Sequence, residues 1–481
     1  MKSGVAFSID RALGRAVDHR VCVHHRRRLR RLGWEYVLDA SGSGWAGGHP
    51  PARGGNELEV LIDGANALPA MAKALAAAES HIHLTGWYFS PELDLTRDGR
   101  PTVLRNLLAE LSVNVDVRVL AWAGAPLPLF HPSRREVRAM RDRLCHGSRI
   151  RCALDAREQP LHCHHEKTIV IDDRVAFVGG IDLTLESGDR FDTHDHPARA
   201  QLGWHDAATR IQGPAVIDVA EHFRLRWREV TGETLPVPEA PAPEGGVGLQ
   251  VVRTIPNAVY DSVPRGEFRI LESYLRALRS ARQFVYLENQ FLWSPEVIRI
   301  LCDKLRRPPR DDFRIVAVLP ADPNDGADDS RGQVASLVEA DEDAGRFLAT
   351  TLYARNGALA DPVYVHAKIG IVDDAWLTVG SANLNDHSLF NDTEMNIVTH
   401  DPAVARQTRL RLWAEHLELP LERVNGEVAA VVDNRWKLIA NEQLERRRAG
   451  SPLTHRLVEL PGISRHSKRL LGPLQGLFVD G

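Results

Sequence analysis

The 481-residue sequence has no long apolar run, few cysteines and no excess of basic charge. No segment approaches the roughly 20 consecutive apolar residues of a membrane-spanning helix. The five cysteines are odd in number and form no Cys-x-x-Cys pair, which favours a reduced protein over a disulfide framework. A formal net charge of −4 lacks the basic surplus that usually marks nucleic-acid binding, so no nucleic-acid partner is expected.

The amino-terminal residues lack the features of a secretory signal. Residues 1–20 contain no continuous apolar core, because Asp10, Arg11 and Asp18 interrupt it. We therefore expect a cytoplasmic protein, and peripheral contact with the inner membrane face is compatible with this. The basic stretch at residues 24–31 suits either contact with anionic headgroups or a solvated, mobile arm, and we favour the arm.

Length and composition indicate two folded units. The chain exceeds the usual size of one domain, and 43% hydrophobic with 26% charged residues is ordinary for a globular protein. Helical and strand patterns alternate in the same order in both halves, which predicts an α/β fold with two similar α/β/α lobes. The predicted parts are a basic amino-terminal segment (1–55), a first lobe (56–234), a Pro/Gly-rich linker (235–250), a second lobe (251–425) and a carboxy-terminal tail (426–481).

One short pattern occurs twice, once in each half. It places a lysine two residues after a histidine and an aspartate five residues after the lysine. The copies are His165, Lys167 and Asp172, and His366, Lys368 and Asp373. A glycine-led turn with a polar residue follows each copy, at residues 179–182 and 380–383. Two matching copies make a chance pair of surface hairpins a poor explanation.

The residues after each histidine and lysine predict a β-hairpin. Residues 168–171 and 369–372 are mostly β-branched or small and apolar, and residues 175–178 and 376–379 suit returning strands. Because residues i and i+2 of a strand share a face, the histidine and lysine of each copy point the same way. An imidazole beside an ammonium group suits a phosphodiester. We expect the lobes to meet around a pseudo-twofold axis with both motifs at the seam.

The doubled motif resembles that of the phospholipase D superfamily, and longer segments resemble its eukaryotic-type branch. Those segments are residues 86–93, 164–167, 177–183, 190–193, 204–206 and 286–291. They cover roughly residues 56–420, in the order of the family. The resemblance implies a phosphodiesterase that cleaves glycerophospholipid headgroups through a phosphohistidine, by hydrolysis or by transfer to an alcohol.

The resemblance also implies roles for the two histidine–lysine pairs. His165 is expected to attack phosphorus, and His366 to protonate the leaving oxygen and later to act as a base. Lys167 and Lys368 are expected to neutralise charge on the phosphoryl oxygens. The family chemistry needs no metal ion or other cofactor. Alternate residues of one strand cannot all converge on an ion, so a metal site at residues 162–165 is disfavoured.

Further residues are expected to complete the site. Asp172 and Asp373 suit orienting or ion-pairing roles, because an anion is a poor direct contact for phosphate. Ser381 and Asn383 are expected to donate hydrogen bonds to the substrate, whereas Asn289 and Gln290 suit substrate contact and structural hydrogen bonding equally. The candidates for orienting the motif histidines are Glu288, Asp182 and Asp206.

Three other functions are alternatives to a phospholipase D. A phosphatidyltransferase of the cardiolipin-synthase kind shares the fold and mechanism and is the second choice. A nuclease is disfavoured by the absent basic surplus, and a non-catalytic lipid-binding protein by the intact histidines and lysines. The expected partners are a glycerophospholipid and a water or alcohol acceptor, and the chain is expected to act as a monomer with an internal pseudo-dimer.

Overall fold

Two β-sheets form the centre of the protein, which the computed structural model describes over residues 2–126, 131–159, 162–321, 327–356 and 359–462. The strands of the first half are β1 (Arg53–Ile62), β2 (His81–Gly86), β3 (Asp116–Trp122), β4 (Arg151–Asp155), β5 (Lys167–Ile171), β6 (Val175–Gly179), β7 (Trp204–His205) and β8 (Ala207–Gln212). Those of the second half are β9 (Val247–Ile255), β10 (Glu267–Phe268), β11 (Phe284–Glu288), β12 (Arg314–Val318), β13 (Phe347–Asn356), β14 (Leu359–Pro362), β15 (Tyr364–Val365), β16 (Ile369–Val372), β17 (Trp376–Gly380), β18 (Glu394–Thr399) and β19 (Leu457–Glu459).

Helices connect the strands and cover the sheets. They are α1 (Lys2–Leu32), α2 (Gly64–Ala76), α3 (Leu104–Leu111), α4 (Arg134–Cys145), α5 (Val216–Thr231), α6 (Arg269–Ser280), α7 (Pro295–Arg306), α8 (Ala327–Asp341), α9 (Pro402–Leu417), α10 (Leu421–Val424), α11 (Val428–Val431) and α12 (Lys437–Arg448). A 3₁₀ turn lies at Glu35–Asp39, and π-helical turns lie at His387–Asn391 and Val432–Trp436. No helix in the described ranges is long and apolar enough to cross a membrane.

The two sheets repeat one strand order. The first runs β4-β3-β2-β5-β6-β8-β1, and the second runs β13-β12-β11-β16-β17-β18-β9. In each, the first three strands are parallel and the hairpin that follows the motif is antiparallel. Parallel neighbours need crossover connections, and helices supply them here. The alternation of helix and strand in the sequence therefore corresponds to a true structural duplication.

An apolar layer joins the faces of the two sheets. Val178 and Ile211 of the first half pack in one buried cluster with Val251, Met395 and Ile397 of the second. Other buried clusters pack α2, α3 and α4 on the first sheet, and α6, α7 and α8 on the second. Burial of apolar surface at about 25 cal/mol per Å² makes such layers the main source of stability. This layered α/β architecture confirms the predicted fold class.

The amino-terminal basic segment packs against the second half, so the expected solvated arm was wrong. His25 is 5% exposed and its Nδ1 lies 2.9 Å from Glu296 Oε1. The Arg28 guanidinium donates to Asn257 Oδ1 (2.8 Å) and Asn391 Oδ1 (2.6 Å). These partners are distant in sequence, and together they fix the end of α1 on the second half.

The ends of the predicted lobes continue into further structure. Residues 235–246 form no helix or strand, as expected of a linker, and β9 begins at Val247. Beyond residue 425, α12 packs beside β19, and β19 pairs with β13 at the edge of the second sheet. The first 37 residues of the predicted tail, up to 462, thus contribute to the second half, and residues 463–481 lie outside the described chain.

Candidate active site

The two motif histidines face each other across the seam between the halves. The ring centroids of His165 and His366 are 6.4 Å apart, and the ring planes are inclined by 65°. The side chains are buried, at 3% and 5% exposure. The duplication therefore brings residues 201 positions apart (366 − 165) into one site.

Each motif is fixed to the half that does not contain it. The backbone N–H groups of His165 and Glu166 both donate to the carbonyl of Thr393, each over 3.0 Å. The N–H groups of His366 and Ala367 donate in the same way to the carbonyl of His205, over 2.8 and 3.1 Å. The geometry of one histidine is thus set by the backbone of the opposite half.

A carboxyl group from the opposite half also binds each imidazole. His165 Nδ1 lies 3.0 Å from Glu394 Oε1, and His366 Nδ1 lies 2.6 Å from Asp206 Oδ2. A proton on Nδ1 donated to the carboxyl leaves Nε2 as the basic or nucleophilic nitrogen. Asp206 was a predicted orienting residue, and the structure places it on His366.

Glu394 was not among the predicted site residues, although its spacing from a proline in the sequence could have identified it. Asp206 and Glu394 each stand eight residues before a proline: Pro214, two residues before α5, and Pro402, the first residue of α9. Each comes directly after the residue whose carbonyl anchors the opposite motif. Aligning the two halves on their prolines would have identified Glu394 as the counterpart of Asp206.

Burial raises the pKa of both carboxyl groups. The pKa of Glu394 rises to about 8, opposed by Lys167 and by hydrogen bonds from Ser381 and Ser388. The pKa of Asp206 rises to about 6, mainly opposed by Lys368. Near neutral pH, Glu394 therefore retains its proton for most of the time, whereas Asp206 is mainly charged.

Burial and three cationic side chains act on His366. Burial lowers its pKa well below the usual value, and the charges of Lys368, Lys167 and Arg190 lower it further. Arg190 is 4% exposed, and its guanidinium carbon lies 3.2 Å from the centroid of the Trp204 ring. Arg190 was not among the predicted site residues, although it lies in a segment that resembles the family. An anion bound among these cations would favour the protonated form of His366.

The motif lysines are buried beside the histidines. Lys167 Nζ donates to the carbonyl of His165 (2.6 Å) and lies 3.1 Å from Asp182 Oδ2. Lys368 Nζ donates to Gln290 Oε1 over 3.2 Å. Asp182 therefore forms an ion pair with a motif lysine, whereas a motif histidine was its predicted partner. The two ammonium groups supply positive charge on both sides of the histidine pair.

Three of the four predicted substrate-binding residues bond to side chains of the site, whereas the fourth, Asn289, bonds to backbone groups. Ser381 donates to Glu394 Oε2 and so contacts the partner of His165. Gln290 bridges several groups, because its Oε1 also accepts from Asn383 Nδ2 (3.2 Å) and its Nε2 donates to the hydroxyl of Tyr364 (2.9 Å). Asn289 instead accepts from the backbone N–H groups of Phe291 and Leu384 and fixes two loops. Of the two roles expected for Asn289, the observed contacts correspond to structural hydrogen bonding.

Glu288 contacts His205 and His416, which corrects its predicted contact with a motif histidine. Its Oε2 lies 2.8 Å from His205 Nε2, and its Oε1 lies 2.8 Å from His416 Nε2. His205 Nδ1 also lies 2.9 Å from Asp63 Oδ1. Asp63 and Glu288 raise the pKa of His205 well above its usual value despite complete burial. Glu288 therefore supports the residue whose carbonyl anchors His366.

Asp172 and Asp373 lie away from the histidines, so their expected place in the catalytic group was wrong. Each follows its motif strand and occupies a left-handed turn, with φ of 54° at both residues. The carboxylate of Asp172 accepts from the backbone N–H groups of residues 79–81, and that of Asp373 from those of residues 282–284. Five residues along a strand cover about 16 Å, which separates these carboxylates from the lysines. They tie the hairpin turns to the starts of β2 and β11.

Comparisons with known proteins agree with this arrangement. Residues 274–414 match the family model described as cardiolipin synthase, PLD-like domain. Phospholipase D A of Dictyostelium discoideum is 24% identical over 79% of this chain and 37% of its own length. Phospholipase D alpha 2 of Oryza sativa subsp. japonica is 26% identical over 81% of this chain and 70% of its own length.

A solved structure has the same fold. The phosphatidylserine synthase of Haemophilus influenzae Rd KW20 superposes with a TM-score of 0.50 at 12% identity, over 82% of this chain and 93% of the synthase. The matched region spans between about one third and 70% of the length of the curated relatives named above. These comparisons confirm the resemblance to the phospholipase D superfamily and its α/β fold.

Proposed function

We propose that this chain is a phospholipase D-type enzyme that cleaves the headgroup phosphodiester of glycerophospholipids, by hydrolysis or by transfer to an alcohol. The observation that carries the proposal is the pair of imidazoles 6.4 Å apart, each bound to a carboxyl group and flanked by a buried lysine. Reacting atoms stand about 3–3.5 Å apart before attack, so one phosphoryl group fits between the rings. The named relatives and the matched family model support a phospholipid as the substrate.

In the first step, His165 Nε2 attacks phosphorus as the bond from phosphorus to the headgroup oxygen breaks. His366 gives its Nε2 proton to that oxygen, so the headgroup leaves with a neutral hydroxyl group. Lys167 and Lys368 stabilise the negative charge on the phosphoryl oxygens in the transition state. The product of the step is a phosphatidyl group bonded to His165.

In the second step, His366 Nε2 takes a proton from water or an alcohol, whose oxygen attacks phosphorus. The phosphorus–nitrogen bond breaks and restores neutral His165. Asp206 stabilises the imidazolium of His366 in both steps, because its carboxylate accepts a hydrogen bond from the Nδ1–H group. Since cations lower the pKa of His366, binding of the anionic diester supplies the charge that allows His366 to be protonated.

A phosphatidyltransferase is the second candidate, and the family model matched by residues 274–414 favours it. It would use the same phosphohistidine and differ only in the acceptor, a lipid or glycerol hydroxyl in place of water. Purified protein should therefore be given a panel of phospholipids with ethanol, glycerol or phosphatidylglycerol. Mass spectrometry of the lipid products distinguishes phosphatidic acid from phosphatidylethanol, phosphatidylglycerol and cardiolipin.

The mechanism is tested by trapping the covalent intermediate. An activated phosphodiester, whose leaving group needs no proton, is mixed with wild type, His165→Asn or His366→Asn, and the acid-quenched protein is analysed by mass spectrometry. We expect phosphorylation of wild type and His366→Asn, and none of His165→Asn. Phosphate on His366 that still forms in His165→Asn would reverse the two roles, and no turnover of any phosphodiester by wild type would refute the proposed function.

A further inference from the structure

Two histidines and an aspartate from both halves converge near the motif of the first half. His162 Nδ1 lies 3.1 Å from His387 Nδ1 and 3.4 Å from Asp392 Oδ1. Ligand-capable atoms of all three residues lie within 4.8 Å of one another. His162 stands three residues before His165, and His387 begins the π-helical turn of the second half. We propose that His162, His387 and Asp392 bind one divalent transition-metal ion, for which Zn²⁺ is the best fit.

The spacing and the types of ligand fit zinc. Bonds of about 2.0–2.1 Å in a tetrahedron place neighbouring ligand atoms about 3.3 Å apart. The observed separations of 3.1 and 3.4 Å lie on either side of that value. Two imidazoles and one carboxylate are a set that zinc accepts, with a fourth position for water. Only His162 comes from the histidine-rich run of residues 162–165, so the ligands do not have to share one strand.

An unpartnered carboxylate oxygen gives a second, independent indication of a cation. Asp392 is 1% exposed, and its Oδ2 is buried with no hydrogen-bond partner within the described chain. A buried carboxylate oxygen without a partner is costly, and a bound cation removes that cost. Asp392 Oδ1 accepts from the backbone N–H of Cys163 (2.9 Å), which fixes the carboxylate in place.

The position of the cluster indicates what the ion would do. The side chain of His162 is 14% exposed, which gives an ion a path from solvent. His162 and His387 are 225 residues apart, so the ion would link the two halves beside the seam. Ser388 follows His387 in the same turn and donates to Glu394 Oε1 over 2.6 Å. The ion would therefore hold the turn that supports the carboxyl partner of His165, without contacting the phosphodiester.

Metal binding by the full-length protein tests this site without relying on activity. Protein stripped of metal by a chelator and dialysed is titrated with Co²⁺, then with Zn²⁺. We expect one equivalent of Co²⁺ with the visible absorption of a four-coordinate site, displacement of Co²⁺ by Zn²⁺, and a higher Tm with either ion. His162→Asn and His387→Gln should each lose the absorption band and the rise in Tm.

A matched variant separates this site from other histidine clusters. His81→Asn removes one member of the cluster formed by His81, His83 and Asp173 and should bind Co²⁺ like wild type. His162→Asn changes a side chain that is partly exposed, and circular dichroism checks that both variants are folded. Wild type without a stoichiometric Co²⁺ band overturns the proposal. So does a band that persists in His162→Asn or disappears in His81→Asn.

Discussion

Replacing Glu394 by glutamine should remove a pH-dependent loss of stability from the protein. Glu394 is completely buried, and its carboxyl group contacts His165, Ser388 and Ser381. A glutamine has the same shape and no charge. Its amide oxygen can accept from His165 and Ser388, and its amide nitrogen can donate to the hydroxyl of Ser381. The substitution therefore changes the ionisation of the site while it preserves the contacts.

The size of the stability effect follows from the pKa of Glu394, which burial raises from 4.5 to about 8. The pKa of Glu394 is higher in the folded state than in the unfolded state. Its contribution to the free energy of unfolding is therefore fully present below pH 4.5 and is lost as pH rises through 8. One pKa unit corresponds to 1.36 kcal/mol, so wild type loses about 3–4 kcal/mol relative to Glu394→Gln between pH 5 and pH 8. An unfolding entropy of about 2.1 cal/mol/K per residue converts this to a Tm difference of about 3–4 °C for the 481-residue chain.

Thermal unfolding followed by tryptophan fluorescence at pH 5, 6, 7 and 8 measures the difference. We expect Glu394→Gln to gain stability over wild type steadily across this range, whereas Glu422→Gln, at an exposed position, should run parallel to wild type. Phosphodiester turnover should change little at pH 5 and 6, where glutamine matches the protonated carboxyl group, and should fall below that of wild type as pH rises through 8, where an ionised Glu394 can stabilise positive charge on His165. A Tm difference that stays constant with pH would refute the assigned protonation of Glu394, even if activity were lost.

Three further predictions concern other parts of the chain. Phosphodiester cleavage should persist after thorough chelation, because histidines and lysines carry the proposed chemistry; complete loss with EDTA at unchanged Tm, restored by one divalent ion, would contradict this. Asp172→Asn and Asp373→Asn should each lower the free energy of unfolding by about 1–3 kcal/mol through weakened bonds to backbone N–H groups, with kcat nearly unchanged. A large fall in kcat for folded protein would restore a catalytic role to these aspartates. Arg28→Ala should lower Tm by releasing α1 from Asn257 and Asn391, and an unchanged Tm would mean that this contact adds no stability.

The sequence was most informative about structural features that depend on a local pattern of residues. The hairpin strands predicted after each motif are observed within one residue of their expected ends, at β5, β6, β16 and β17. Strand periodicity and turn composition specify such units without any distant contact. The α/β class followed from the same local alternation of elements. Asp206 was selected because it lies in a segment that resembles the family.

Features that depend on contacts between distant residues were missed or misassigned. Glu394 binds His165 across 229 positions, and no property of residues 391–396 alone indicates that contact. The basic segment that contains His25 and Arg28 has the composition of a solvated arm, yet acceptors from the second half stabilise it in a packed position. β19 is three residues long, too short for a periodic pattern to be recognised. In each case the deciding partner lies in another part of the chain.

The reciprocal anchoring of the two motifs has a consequence for how the halves can change over evolutionary time. The carbonyl of His205 positions His366, and the carbonyl of Thr393 positions His165, so neither half contains everything that shapes its own histidine. A substitution that shifts β7 first displaces the histidine of the second half, and one that shifts Thr393, just before β18, first displaces the histidine of the first half. The two copies are therefore constrained like the partners of an obligate dimer. Their surfaces, loops and appended segments can diverge independently, but a change in backbone geometry at the seam must be matched in both halves.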